Sequence, residues 1–169
     1  MIGRWLARVT THLEKALGWI LVGLMSVMVV DVTWQVASRF VFRSPSSFTE
    51  ELAGFLLIWI GLLGAAYGIR TRAHLGIDLL VEQLRGGWKR GAEVSGHFLV
   101  LLFAVTTMVG GGTWLVRLAF QLDQVSAAMG VRMGFVYLAL PLSGMLVFLF
   151  SLEAMARTMT GTGPGGGED

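Results

Sequence analysis

The residues from Leu52 to Ile69 form an uncharged, predominantly apolar run of 18 residues. A helix of that length measures about 27 Å and just crosses the hydrocarbon core of a bilayer. The composition agrees, because 54% of the 169 residues are hydrophobic and only 14% are charged, against about 25% charged in a soluble domain. The chain is therefore predicted to be an integral membrane protein.

Three more apolar segments give an all-α membrane protein with four transmembrane helices. We expect these helices at about residues 16–42, 49–70, 90–120 and 132–157, with Pro141 kinking the last one. The first apolar run is too long for a signal peptide, so this helix should remain uncleaved. We expect a single membrane domain over residues 1–158 and a flexible, glycine-rich tail over 159–169.

The connection between the second and third spans, residues 70–91, is too charged to cross a membrane. Its apolar side chains recur at the helical period, at Ile77, Leu80, Val81 and Leu84. Charged side chains lie opposite them, at Asp78, Glu82 and Arg85. We therefore predict a short amphipathic helix over about residues 76–85, lying in the membrane interface.

Basic residues in the connections predict the orientation of the chain. With the N-terminus in the cytoplasm, nine lysine or arginine residues fall inside and four fall outside. Cytoplasmic connections carry the excess of basic residues in membrane proteins. Both termini are therefore expected in the cytoplasm.

A polar stripe lies along the first helix, where Asp31, Gln35 and Arg39 are spaced i, i+4 and i+8. It could be an ion or proton site, or a stripe that pairs internally and faces another protein. We favour the second interpretation, since charges within membranes usually pair and face other helices.

Two carboxylates, Glu50 and Glu51, follow a connection of five residues and open the second helix, whose start Ser46, Ser47 or Thr49 could cap. We predict that Arg39 or Arg43 pairs with one of them, because so short a connection makes the helix ends neighbours. The alternative is that both carboxylates serve only the helix dipole.

Small residues recur on one face of the second helix, at Gly54, Gly61, Ala65 and Gly68. Such a stripe allows another helix to approach closely. The alternative is that glycine is simply frequent in membrane helices.

The sequence gives little support for a catalytic, metal-binding, haem-binding or nucleic-acid-binding site. The chain contains no cysteine, and no nucleophile motif, phosphate loop or metal signature is evident. A haem held by two histidines is poorly supported, since His12 and His74 lie outside the apolar runs and only His97 lies near one. The net charge of +2 is too small to indicate nucleic acid as a partner. We expect no cofactor and no enzymatic activity.

Several short motifs resemble, in order and spacing, the small permease subunit (DctQ type) of tripartite ATP-independent periplasmic (TRAP) transporters. They are Gln35-Val-x-x-Arg39-Phe-Val-Phe, Thr49-Glu50-Glu51-Leu52, Trp59-x-x-Leu62-x-Gly64-Ala65-Ala66, Arg72-x-His74-x-x-x-Asp78, Ser126 through Gly130, and Tyr137-x-x-x-Pro141. The chain departs from the usual pattern at Phe48, where the family usually has tryptophan, and at Arg132, where proline often precedes the last helix.

The resemblance implies a scaffold that anchors a large, sodium-coupled permease subunit in the bacterial inner membrane and works with a periplasmic substrate-binding protein. Membrane lipid would be the other partner, and the substrates would be organic acids such as carboxylates or sialic acids. Structural or partner-contact roles are expected for Asp31, Gln35, Arg39, Arg43, Glu50, Glu51, Gly61, Gly64, His74, Asp78, Tyr137 and Pro141. A membrane anchor for a redox enzyme and a small transporter that acts alone are the alternatives.

Overall fold

The computed structural model describes residues 2–41, 46–71 and 87–159, and these ranges are almost entirely helical. The elements are α1 (Ile2–Phe40), α2 (Ser47–Arg70), α3 (Gly87–Phe103), a π-helix (Ala104–Gly111), α4 (Gly112–Gln121), α5 (Met133–Tyr137) and α6 (Ala139–Met159). Four stretches are long and apolar enough to cross a membrane, namely Arg8–Phe40, Ser47–Arg70, Val94–Gln121 and Met133–Ala156. The predicted all-α fold with four spans is confirmed. The predicted interfacial helix, the residues Arg43, His74 and Asp78, and the tail from 160 onward lie outside the described residues.

α1 and α2 form an antiparallel pair, joined near one end by a contact between Gly18 and Tyr67. The covered positions of α1 recur alternately three and four residues apart, at Leu17, Leu21, Leu24, Met28, Asp31, Gln35 and Ser38. This average spacing of about 3.5 is that of a left-handed coiled coil. α2 shows the same period, with buried residues at Thr49, Leu56, Leu63 and Ala66. The two helices therefore pack along one continuous seam.

The start of α2 confirms one local prediction. Ser46 precedes the helix in extended conformation, and its hydroxyl accepts a hydrogen bond from the Thr49 backbone N–H at 3.5 Å. Ser46 was one of the residues expected to cap this helix, because a serine oxygen satisfies a backbone donor that the first turn leaves open. The helix consequently begins at Ser47, two residues earlier than expected.

The third span is one continuous helical rod made of α3, the π-helix and α4. It packs antiparallel to α6 through glycines. A Cβ on Gly112 would lie 3.0 Å from Pro141 Cδ, and one on Gly144 would lie 2.7 Å from Met108 Cβ. Gly112 provides the close packing, and the π-helical turn immediately precedes it.

The fourth span is interrupted at Leu138, between α5 and α6. Pro141 explains the break, because proline has no N–H and its ring clashes with the carbonyl four residues earlier, at Tyr137. The sequence predicted a kink here. The structure places it at the start of α6, where proline occupies the first helical turn.

α6 is the central helix of the bundle and contacts α1, α2, α3 and the π-helix. The apolar core around it contains Leu17, Leu63, Ala66, Ala104, Met108, Val147 and Phe150. In the apolar window of each span, 44% of the residues are buried in the last span but only 11% in α1. α1 is therefore a peripheral helix that leaves most of its surface open.

Candidate functional site

Arg70 joins three helices where α2 and α6 end. Its Nε donates to Glu14 of α1 at 2.9 Å, and its Nη1 donates to Glu153 of α6 at 2.8 Å. The side chains of Arg70, Glu14 and Glu153 are 15%, 32% and 3% exposed. We call these three residues the Arg70 cluster. One guanidinium, itself mostly buried, thus links α1, α2 and α6.

The local structure suits Arg70 to this role. It is the last residue of α2, where a cation also interacts favourably with the helix dipole. The planar guanidinium presents donors in several directions, so it can bind two carboxylates at once. Sequence reasoning missed Glu14 and Glu153 as its partners. Glu153 gave a signal, since it is the one charged residue between Met133 and Ala156, and charges within membrane spans need partners.

Glu51 makes the corresponding contact at the opposite end of α2. Its Oε2 accepts hydrogen bonds from Ser126 Oγ at 2.9 Å, from Ala128 N at 3.0 Å and from Met129 N at 2.8 Å. Its Oε1 accepts one from Ala127 N at 3.1 Å. We call Glu51 and residues 126–129 the Glu51 cluster. Four donors from one short segment therefore converge on a single carboxylate.

The segment that holds Glu51 is part of a folded connection between α4 and α5. The backbone N–H of Ser126 donates to Val131 O at 2.9 Å, and that of Met133 donates to Gln124 O at 2.8 Å. Gly130 closes the turn with a φ of +66°, a left-handed conformation that glycine adopts without strain. The Glu51 carboxylate is thus bound by a turn that has its own internal hydrogen bonds.

The predicted pairing of Arg39 with Glu51 is wrong. Arg39 is exposed, and no ion pair involves it within the described ranges. Glu51 takes donors from the connection between α4 and α5 instead, three of them backbone N–H groups, and it forms no ion pair with a described arginine. Arg43 lies outside the described residues, so its pairing with Glu50 or Glu51 remains a prediction.

Asp31 lies inside the seam between α1 and α2 and is only 6% exposed. Its Oδ2 is buried and has no hydrogen-bond partner among the described residues. Gln35 is half-buried one turn further along, and its carbonyl accepts a hydrogen bond from Ser38. The stripe does not pair internally as expected, since Asp31 and Arg39 form no ion pair. A polar residue at one position of an apolar seam fixes the register of two helices at a cost in stability.

The predicted small-residue stripe of α2 faces away from the described part of this chain. Gly54, Gly61 and Ala65 are exposed. A Cβ built on Gly54, Gly61 or Gly64 would meet nothing within 4 Å. Close approach of another helix to this stripe remains a prediction. By contrast, Pro141 is buried against Gly112, and Tyr137 is half-buried at the end of α5.

The described residues contain no group of three or more histidine, cysteine or acidic side chains that could hold a metal ion. His12 donates from Nδ1 to Arg8 O at 2.8 Å, a contact within its own helix. His97 is half-buried on α3, and the described residues of α3 make no contact with those of α1. His12 and His97 therefore lie on helices that do not face each other.

A bundle of four membrane-length helices, with polar contacts that fasten helix to helix at both ends, defines the class of protein as a multi-pass helical membrane subunit. Residues 28–161 match the family described as "Tripartite ATP-independent periplasmic transporters, DctQ component". The chain belongs to this family. It is therefore a small permease of the TRAP type, a transport protein of the inner membrane and not an enzyme. Membership replaces the alternative of a redox-enzyme anchor.

Curated relatives agree with the family. The chain is 26% identical over 161 residues to the "Sialic acid TRAP transporter small permease protein SiaQ" of Vibrio cholerae, covering 92% of this chain and 87% of that protein. It is 30% identical over 118 residues to the "C4-dicarboxylate TRAP transporter small permease protein DctQ" of Rhodobacter capsulatus, covering 69% and 52%. It is 26% identical over 120 residues to the "Sialic acid TRAP transporter permease protein SiaT" of Haemophilus influenzae, covering 71% of this chain but 19% of that protein.

Proposed function

We propose that this chain holds a large TRAP permease subunit in the bilayer and does not itself carry substrate. The observation that carries the proposal is the similarity to SiaT, a permease of which this chain matches about one fifth. A sequence like this one therefore exists as part of a longer permease protein. A separate small chain such as this one would take the same place by binding to the large permease as a subunit.

The geometry supports a scaffold. The Arg70 and Glu51 clusters use their polar groups to fasten helices to one another. The apolar surface remains widely exposed, and the exposed fractions of Trp19, Val30 and Trp34 are 77%, 69% and 56%. In a membrane, such a surface contacts either lipid or another protein. A rigid bundle with a large apolar surface is suited to widen and anchor a partner.

The transported substrates are proposed to be organic acids, taken up with sodium and delivered by a periplasmic substrate-binding protein. The printed names of relatives support a carboxylate, since sialic acid and C4-dicarboxylates both carry that group. The sodium coupling, the binding protein and the choice of acid follow from the resemblance to the family. The sodium coupling and the choice of acid are proposed as properties of the whole transporter, of which the binding protein is a part, and not of this chain alone.

Both termini are proposed to lie in the cytoplasm, which places the Arg70 cluster at the inner surface and the Glu51 cluster at the outer surface. The support is the excess of nine basic residues against four. Reporter fusions at Ser46 and Ser126 should be active as periplasmic fusions, and a fusion at Gly87 as a cytoplasmic one. A periplasmic signal from Gly87 would reverse the orientation.

Reconstitution tests the scaffold. The large permease and the binding protein from the same system are incorporated into liposomes with this chain, without it, or with this chain alone. We expect sodium-dependent uptake only when the large permease and this chain are both present. Equal uptake by the large permease without this chain would refute the scaffold, and uptake by this chain alone would show an independent transporter.

A further inference from the structure

We propose that residues 126–129 form a carboxylate-binding site, and that the Glu51 side chain is its ligand. By this contact the Glu51 cluster latches the connection between α4 and α5 onto the start of α2. Three consecutive backbone N–H groups and one hydroxyl donate to the carboxylate, at distances from 2.8 to 3.1 Å. Successive backbone N–H groups that point to one side of a turn form a concave site for an anion. This inference does not depend on the substrate or on the partners of the transporter.

The backbone N–H groups of this turn that are not used within the connection all donate to the Glu51 carboxylate. The N–H groups of Ser126 and Gly130, on either side of the segment, are used inside the connection, where they donate to Val131 O and Ser126 O. The three N–H groups between them, of Ala127, Ala128 and Met129, all donate to Glu51. The site is therefore built by the backbone of the connection and filled by a side chain 75 or more residues away in sequence.

The contact does more than serve the dipole of α2. Glu50 is the residue before Glu51 and stands in the first turn of α2, where its carboxylate interacts favourably with the dipole. It is exposed, however, and accepts no hydrogen bond from residues 126–129. Of these two interactions, Glu50 therefore makes only the one with the helix dipole, whereas Glu51 also binds residues 126–129. This makes Glu50 a matched control for Glu51.

Hydrogen–deuterium exchange of the full-length chain in lipid nanodiscs tests the latch, read on peptides that cover residues 126–130. Glu51→Ala should speed exchange at the amides of Ala127, Ala128 and Met129. Hydrogen bonds to a charged acceptor are strong enough that their loss changes a local opening equilibrium roughly tenfold to a hundredfold. Glu50→Ala should leave exchange unchanged. Glu51→Gln keeps the size of the side chain and should also speed exchange, so it serves if Glu51→Ala does not accumulate.

Added acetate tests whether the three amides bind a carboxylate or are only covered by the side chain of Glu51. In Glu51→Ala, sodium acetate should restore protection of the three amides, whereas sodium chloride at the same ionic strength should not. Equal exchange in the Glu50 and Glu51 variants would overturn the latch. Equal restoration by chloride, or no restoration by either salt, would overturn the carboxylate site.

Discussion

Replacement of Arg70 by alanine should destabilise this protein more than the loss of an ordinary surface ion pair. The guanidinium is 15% exposed and bonds to Glu153, which is 3% exposed, and to Glu14, which is 32% exposed. Removal of one partner from a buried ion pair costs about 3–5 kcal/mol, because the remaining charge loses its compensation in a medium of low dielectric. The contact with Glu14 adds less, since solvent screens a partly exposed pair.

The chain supplies its own control. Arg132 and Asp123 form an ion pair at 3.4 Å with side chains that are 61% and 70% exposed. Such a pair contributes about 0–1 kcal/mol. Arg132→Ala removes the same type of side chain from the same chain, so the two variants differ mainly in the burial of the pair that is lost.

Thermal unfolding in one detergent or nanodisc preparation measures the difference. A change of 1 kcal/mol shifts the Tm of a chain of this size by about 2–4 °C, so Arg70→Ala should lower Tm by about 6–20 °C and Arg132→Ala by at most about 4 °C. The double variant Arg70→Met/Glu153→Met should recover part of the loss, since apolar side chains can replace a buried pair. Equal Tm values for Arg70→Ala and Arg132→Ala would refute the argument.

Three further substitutions give distinct outcomes by the same unfolding measurement. Gly144→Ala should cost about 1–3 kcal/mol, because its Cβ would lie 2.7 Å from Met108 Cβ. Gly61→Ala, with nothing within 4 Å, should be neutral or stabilise the isolated chain by up to about 1 kcal/mol; a clear loss there would mean that this face is already packed. Asp31→Asn should unfold at the same or a higher temperature, because it removes a buried charge whose Oδ2 has no described partner. A lower Tm for Asp31→Asn would reveal a cationic partner.

The spans could be predicted from the sequence because they depend on local properties. A membrane helix satisfies its backbone hydrogen bonds within itself, so length and apolarity are sufficient to locate it. Ser46 as a cap and Pro141 as the cause of a break are equally local, since each acts within one turn of helix.

The contacts between helices could be predicted only in part. Charge complementarity suggested an arginine for Glu51, but the donors that bind it are backbone N–H groups, which no side-chain pattern displays. Arg70 was counted only as a basic residue for orientation, because its partners stand 56 and 83 residues away. Asp31 was expected on a polar stripe that pairs internally and faces another protein, whereas it lies in the seam with α2, on a face of α1 whose covered positions recur with a period of about 3.5.

α2 is fastened by charged residues at both of its ends, and this explains how a helix with an uncharged apolar run between them can hold the bundle together. At one end Glu51 holds the connection that leads into α5, and at the other Arg70 holds Glu153 of α6. The first contact ties α2 to the connection that precedes the fourth span, and the second ties α2 to the fourth span itself, which runs parallel to it. Among the described residues, ion pairs tie α1 to the bundle only through Glu14, at the Arg70 end. Loss of Arg70 should accordingly loosen the ends of α1 and α6 that it joins, whereas loss of Glu51 should loosen the connection alone. Three carboxylates and one arginine, placed near the ends of apolar helices, thus add polar contacts to the apolar packing at both ends of α2.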